Sequence, residues 1–432
     1  MKKDPVILTS EFKYVLDLLS NTDQNVFLTG KAGTGKSTLL QLVSRDVDKK
    51  TAIVAPTGVA ALNVRGQTIH SFFRLPPKLI QPKDIRQVRP NRLYKNLELL
   101  IVDEVSMVRA DILDAMDRFL RINRGNGRPF GGVQMLFVGD LFQLPPVISS
   151  AEERHVFQNI YQSPYFFSAR VFREGFDMEM VELQRVFRQK EKGFLDLLNA
   201  VRLNTVDYDI LEELNSRYQP DFTPPGDCHY ITLAARNHTV DQINRRELAK
   251  LTTPSRTFTA QIEGQVKPSF FPTAQTLTLK EGAQVMFIRN DPDRRYVNGS
   301  IGVILSLEKD KILVKVTDKE GPKDPFELEP YTWEIIKYRV DSQDPEELKE
   351  EVIGSFTQYP LKLAWAVTIH KAQGKTFDRA IIDFGRGAFE YGQAYVALSR
   401  CRSLEGIVLK QKLRPEDIKT DPRVVEFYQE KI

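Results

Sequence analysis

A chain of 432 residues is longer than one ordinary domain and is expected to form two or three. Hydrophobic residues at 41% and charged residues at 27% give the balance of a globular protein and exclude a disordered or fibrous chain. The formal net charge of +4 fits a nucleic-acid binder whose acidic residues offset a basic groove, and it fits many unrelated enzymes equally well.

In chain order, NVFLTG (25–30), TAIVAPT (51–57), LELLIVDE (97–104) and VQMLFVGD (133–140) are short apolar runs that end in polar or glycine-rich turns. Each is predicted to be a buried parallel strand, with helices between them at Ser37–Val43 and Arg109–Ile122. This is the pattern of a doubly wound α/β domain, here residues 1–170, whose ligands collect at the carboxyl ends of the strands. One stretch, about 64–95, breaks the rhythm: SFFRLPPKLIQP is too irregular for a crossover helix and is expected to be a surface insertion. A second alternation fills 171–432, with strands at MEMVEL (178–183), HYITLA (229–234), QVMFI (284–288) and RAIIDF (379–384). Helices are expected there at Gly193–Arg202, Asn237–Leu251 and Tyr391–Ser399. Within it, 296–352 changes to short β runs separated by charged turns, the size of an SH3-like or OB-like barrel. Cys228 and Cys401 match no zinc or redox spacing, and no signal peptide or run of roughly 18 apolar residues occurs, so a cytoplasmic, reducing location is expected.

The chemistry begins at Gly30–Ser37. GKAGTGKS has the G-x-x-x-x-G-K-[ST] spacing, between a predicted strand and a predicted helix. Backbone N–H groups around Gly33, Thr34 and Gly35, continuing into Ser37 and Thr38, would wrap the phosphates of ATP. Lys36 would neutralise charge on the β- and γ-phosphates, and the Ser37 hydroxyl would reach Mg²⁺. Asp103 and Glu104 end the third strand. Beside a phosphate cradle the first would hold Mg²⁺ and the second would orient or deprotonate the attacking water. Gln143 follows the next strand in GDLFQLPP, where a γ-phosphate sensor would sit; alone, that motif is also any proline-stopped strand.

APTGVAALNVRGQTIHSFF, DEVSM, PFGG, GDLFQLPP, ELQRVFRQ, TIHKAQGKTFD and YVALSRCRS occur in this order. Together they closely resemble the PIF (petite integration frequency) helicases, the RecD-like branch of superfamily 1B, from about residue 6 to 410. The resemblance implies two RecA-like domains, ATP and Mg²⁺ as cofactors, and a 5′→3′ DNA helicase acting on forked or structured DNA, in a minimal bacterial form. It also implies that Arg188 and Arg400 are arginine fingers, since a fixed charged fork stabilises a transferring phosphoryl group. Gln373, Gly374 and Lys375 should lie beside them. Where the family carries an adenine-reading glutamine this chain has Phe12, so no adenine reader is assigned.

Contacts to the strand are expected on both domains. Thr57 and Gly58 offer a hydroxyl and a backbone N–H to a phosphate, or simply cap a helix. His70, Phe72 and Phe73 could stack on bases, with one of the adjacent phenylalanines reserved for the core. Arg128, Phe130 and Gly131 form a loop contact, and Arg236, Asn237, Asn298, Gly299, His370 and Lys371 are the matching candidates on the second domain. No residue decides DNA against RNA; only the resemblance favours DNA. A P-loop switch that binds protein partners through its β insert is a third possibility, disfavoured by the paired arginines. A monomer is the default expectation.

Overall fold

The computed structural model describes residues 8–431 apart from 77, 149–150, 190, 226–227, 265, 294, 310, 318–323 and 341–347. Two parallel sheets organise it. The first has six strands in the order Gln67–Thr68, Thr51–Ala55, Leu99–Val102, Gln134–Val138, Val26–Gly30, Glu179–Leu183. Their apolar runs are buried on both faces, by Leu39, Leu40 and Val43 of helix Lys36–Asp46 on one side and by Phe119 and Leu120 of helix Ala110–Arg124 on the other. The second sheet has four parallel strands in the order Ala366–Thr368, Ile231–Ala234, Ala380–Asp383, Ile407–Leu409.

Two expected strands change sheet. Glu179–Leu183, predicted to open the second domain, runs parallel to Val26–Gly30 and forms the edge of the first sheet, so the expected boundary at 170/171 does not separate the two. Gln284–Phe287 is antiparallel and belongs to the inserted β module. That module is larger than 296–352. A five-stranded antiparallel sheet runs Phe326–Leu328, Ile312–Val316, Ile301–Leu307, Gln284–Phe287, Leu361–Leu363. A three-stranded sheet joins Tyr331–Val340, Leu348–Gln358 and Gln261–Gly264, and Ser255–Thr259 pairs with Thr276–Lys280. Alternation of buried and exposed residues fails to separate such strands from a parallel sheet when, as in Gln284–Phe287, all four are buried.

Two long contacts close the molecule. The hairpin that carries Tyr338 reaches the first sheet: Ile53 N–H donates to the Tyr338 hydroxyl at 3.2 Å, and Tyr338 N–H donates to Gln67 Oε1 at 3.3 Å. Helix Pro422–Lys431 returns to the first domain, stacking Phe427 on Phe167 at 4.4 Å between ring centroids and edging it against Phe166 at 6.3 Å. Its Tyr428 hydroxyl bonds Thr29 on the strand that feeds the P-loop. Among the described residues no helix is long and apolar enough to cross a membrane.

Candidate nucleotide site and strand track

The P-loop forms as its glycines require. Gly33 and Gly35 have φ of +85° and +90°, in the left-handed region, and a Cβ on Gly33 would meet the Arg188 Cβ at 2.5 Å. Segment 184–189 therefore lies directly on the loop, and Phe187 N–H donates to the Gly33 carbonyl at 2.9 Å. Lys36 folds back on the loop, donating to the Gly30 carbonyl at 2.7 Å and the Lys31 carbonyl at 3.2 Å. Helix Lys36–Asp46 places Ser37 and Thr38 in its first turn, below Gly35.

Asp103 and Glu104 follow the strand Leu99–Val102, and Glu104 takes a left-handed conformation with φ 49° and ψ 44°. A non-glycine residue held there carries strain of the kind that accumulates at reacting groups. Burial pushes both carboxyls above the usual carboxylate range; repulsion from Glu104 adds to this at Asp103, and Lys36 and Arg400 oppose it at Glu104. Gln373 Nε2 donates to Glu104 Oε2 at 3.2 Å across the cleft, while the buried Gln373 Oε1 has no partner among the described residues. Gln143 Nε2 donates to Asp140 Oδ2 at 3.1 Å.

Both candidate arginine fingers enter this cleft. Arg400, 1% exposed, is held by Val396 O at 2.8 Å, Ser399 Oγ at 2.6 Å and Lys375 O at 3.4 Å. Arg188 Nη1 donates to Ser399 O at 3.2 Å, and Gln189 Nε2 fixes the same turn through Ser399 O and Cys401 O. Burial lowers the proton affinity of Lys36, Arg188 and Arg400, and Arg400 repels Arg188, which falls to about 9. One buried and two half-buried cations gathered on a P-loop form a site for a polyanion. Ser37 in the first turn of the helix after the P-loop and Asp103 after the strand Leu99–Val102 are the side chains that would hold a magnesium ion together with the phosphates. The residues present fit a magnesium nucleotide.

Lys375 lies beside Arg400 as expected, through its carbonyl, which accepts from Arg400 Nη1 at 3.4 Å, while its ammonium turns away and donates to Asn298 Oδ1 at 2.6 Å on the β module's turn with Gly299. Gly374 lies in the exposed turn between Gln373 and Lys375 with φ +77°.

The strand candidates divide. Thr57 is exposed but its hydroxyl accepts from Ala60 N–H at 3.2 Å, so it does cap the helix Gly58–Asn63 that follows; Gly58 is buried. Phe72 and Phe73 are 2% and 1% exposed, packed edge-on against Tyr94 and Phe119, and are not available to stack on bases. The expectation that one of the pair faces solvent fails because Phe73 packs on Phe119 of helix Ala110–Arg124 and Phe72 on Tyr94 and Tyr338. Phe130 is wholly buried against Phe137 and Phe176, and Gly131 is pressed against Leu120 O; only Arg128 of that group is exposed. His70 is half-buried, Lys371, Arg236 and Asn237 are exposed, and Asn298 is half-buried beside Gly299.

Sequence inspection missed two aromatics. Phe389 and Tyr391, 47% and 39% exposed, line a cleft of about 610 Å³ with His370, Pro145 and Pro146, between the two domains. The Arg236 guanidinium lies 5.8 Å over the Phe389 ring. Their signal was GAFEYG, aromatics set between glycines just after a buried strand. Phe187 is likewise exposed at the P-loop, 3.6 Å from where a Gly35 side chain would begin, with the Arg185 guanidinium 5.1 Å over its ring.

Comparison with known proteins gives one family. Residues 7–209 match the family described as PIF1-like helicase. The chain is 33% identical to the ATP-dependent DNA helicase Pif1 of Bdellovibrio bacteriovorus, over 98% of this chain and 92% of that one. It is 32% identical to the ATP-dependent DNA helicase PIF1 of Emericella nidulans over 98% of this chain, and spans 63% of that relative's length. Pif1 from Bacteroides sp. in complex with ADP-AlF4 superposes with a TM-score of 0.91 at 38% identity, covering 99% of this chain and 97% of that one. The same Bacteroides protein bound to single-stranded DNA, with equal coverage and identity, superposes with a TM-score of 0.70.

Proposed function

Because this chain belongs to the PIF1-like helicase family, we propose that it is an ATP-driven DNA helicase that moves 5′→3′ along a single strand and parts the duplex ahead of it. One observation carries the reading. Lys36 on the P-loop, Arg188, whose Cβ lies 2.5 Å from where a Gly33 side chain would begin, and buried Arg400, which shares the Ser399 turn with Arg188, gather beside the strained carboxylate of Glu104. A P-loop served by cations from both sides hydrolyses ATP only when its cleft is closed, and that links hydrolysis to domain motion.

The roles follow from position. Lys36 and the N–H groups from Gly33 to Thr38 bind the phosphates, and Ser37 and Asp103 would hold Mg²⁺, which would offset phosphate charge. Glu104 orients the attacking water and takes its proton; its raised proton affinity suits a base. Gln143 and Gln373 contact the γ-phosphate side, and Arg188 and Arg400 stabilise the charge that spreads over its oxygens. Phe187 with Arg185 forms an exposed face for the adenine ring.

On the other side, Thr57, His70, Arg128, Asn237, Asn298, His370 and Lys371 engage the strand, joined by Phe389, Tyr391 and Arg236 as a stacking surface and by Lys375 as a phosphate contact. The proline-rich insertion after Thr57 acts as the wedge at the junction. DNA as the strand is supported by the names of the Bdellovibrio and Emericella relatives and by the strand-bound Bacteroides structure. Stimulation of ATP hydrolysis by poly-dT but not poly-U, and unwinding of a 5′-tailed but not a 3′-tailed fork, is the expected result. Unwinding of only the 3′-tailed substrate would overturn the polarity, and equal stimulation by poly-U would overturn the substrate.

A further inference from the structure

Beneath the P-loop runs a buried polar chain to which the hydrolysis steps above assign no part. Tyr395 lies on the helix Gln393–Leu398, which leads into Arg400. Its hydroxyl accepts from Ala32 N–H, the third residue of the P-loop, at 3.0 Å and lies 3.5 Å from Asp140 Oδ2. The same Oδ2 accepts from the amide of Gln143 at 3.1 Å, and Asp140 Oδ1 faces Arg202 Nη2 at 3.4 Å. Arg202 sits 4.1 Å over the ring of Phe142, 3.2 Å from Glu182 Oε1 and 3.4 Å from the Tyr428 hydroxyl, which bonds Thr29. One unbroken set of contacts thus joins the arginine-finger helix, the P-loop backbone, the γ-phosphate sensor and the C-terminal helix.

Its chemistry suits mechanical coupling. Asp140, Arg202 and Tyr395 are all buried, and in such surroundings each unmade bond costs its full desolvation penalty, so the set holds discrete arrangements. Burial raises the proton affinity of Tyr395 and Tyr428, so both hydroxyls stay protonated and can donate as well as accept. Arg202 Nε is buried without a partner among the described residues, which leaves a donor free for a second arrangement.

We propose that Tyr395, Asp140 and Arg202 are positioning residues that relay movement of the second domain to the P-loop at Ala32 and to the Gln143 amide. Strand-driven closure shifts helix 393–398, and the Tyr395 hydroxyl carries that shift to both sides of the triphosphate. The relay rests on the helicase reading given above.

Steady-state ATP hydrolysis by the full chain, titrated with ATP at zero and saturating oligo-dT, tests it. Tyr395→Phe keeps the ring and removes only the hydroxyl. Its strand-stimulated kcat is expected to fall about tenfold, the effect of one buried hydrogen bond. KM for ATP and oligo-dT affinity in the absence of nucleotide should stay unchanged. Asp140→Asn should show the same loss, and the double variant should lose no more than either alone, because both break one relay. Full stimulated turnover in Tyr395→Phe, additive losses in the double variant, or a rise in KM matching the fall in kcat would each overturn the relay. Wild-type protein whose ATP hydrolysis ignores oligo-dT would instead overturn the helicase reading, and the relay with it.

Discussion

At the scale of single residues, the nucleotide cleft sets charge against burial. Lys36 reaches the loop through its ammonium, which rests on the Gly30 and Lys31 carbonyls. Lys36→Ala is therefore expected to abolish ATP turnover and leave the thermal unfolding midpoint unchanged, checked by a phosphate-release assay alongside a melt. Arg400 is different. It is fully buried and satisfies three acceptors around helix 393–398, so Arg400→Ala removes a structural tie together with a charge. Turnover should fall by on the order of 10³–10⁵, as for arginine fingers generally, with ATP binding retained. The buried acceptors left unpaired should also lower stability by about 1–3 kcal/mol each, visible in denaturant unfolding. Loss of nucleotide binding with intact residual turnover would mark Arg400 as purely structural.

At the scale of elements, the segment after Thr57 shows how propensity and packing divide the work. Phe72, Phe73 and Leu75 anchor its first part in the core. Beyond them Ile80 N–H donates to Asp111 Oδ2 at 3.2 Å, Arg109 pairs with Asp111 at 2.8 Å, and Lys78 pairs with Asp84 at 2.9 Å. The loop is held at both ends and stiffened between them by Pro76, while Pro77 lies outside the described residues. Leu75 is a core residue, so replacing it would confuse stability with function. Pro76→Gly loosens the loop without opening a cavity. It should reduce unwinding of a forked duplex and spare strand-stimulated ATP hydrolysis, measured on one preparation; equal loss of both would remove the wedge role.

At the scale of the whole molecule, the hairpin that carries Tyr338 and the C-terminal helix both reach back to the first domain, so the two domains are tied by more than the nucleotide cleft. The interdomain cleft presents Arg154 with Phe389 and Tyr391, and Arg236 lies over the Phe389 ring. Basic groups on phosphates and rings on bases give binding that is salt-dependent and sequence-tolerant. The logarithm of strand affinity should fall with the logarithm of salt concentration at a slope of about −0.7 per neutralised phosphate, nearly equal for oligo-dT and mixed sequences. Phe389→Ala should weaken binding by about 1–3 kcal/mol, one lost stack, and leave that slope unaltered. A changed slope with unchanged affinity at low salt would assign the ring no base contact.

The sequence by itself determined the local structure of the P-loop and of the strand that ends at Asp103. Glycine spacing, a strand before Gly30 and a helix after it, and carboxylates at the end of a buried strand are local features, each fixed by residues within a few positions of one another. The expected parallel strands of the first 150 residues formed for the same reason, since continuous apolar runs bounded by turns mark strands buried on both faces. What the sequence left open is non-local. Which sheet receives Glu179–Leu183, and that Gln284–Phe287 is antiparallel, depends on partners more than a hundred residues away in the first case and across a bulged hairpin sheet in the second. Phe72 and Phe73 carry the same side chain as Phe389, and although the glycines of GAFEYG mark a turn around Phe389, nothing local says which ring is packed inside and which faces the cleft. Burial is a property of the assembled surface, and only the tertiary structure could decide it.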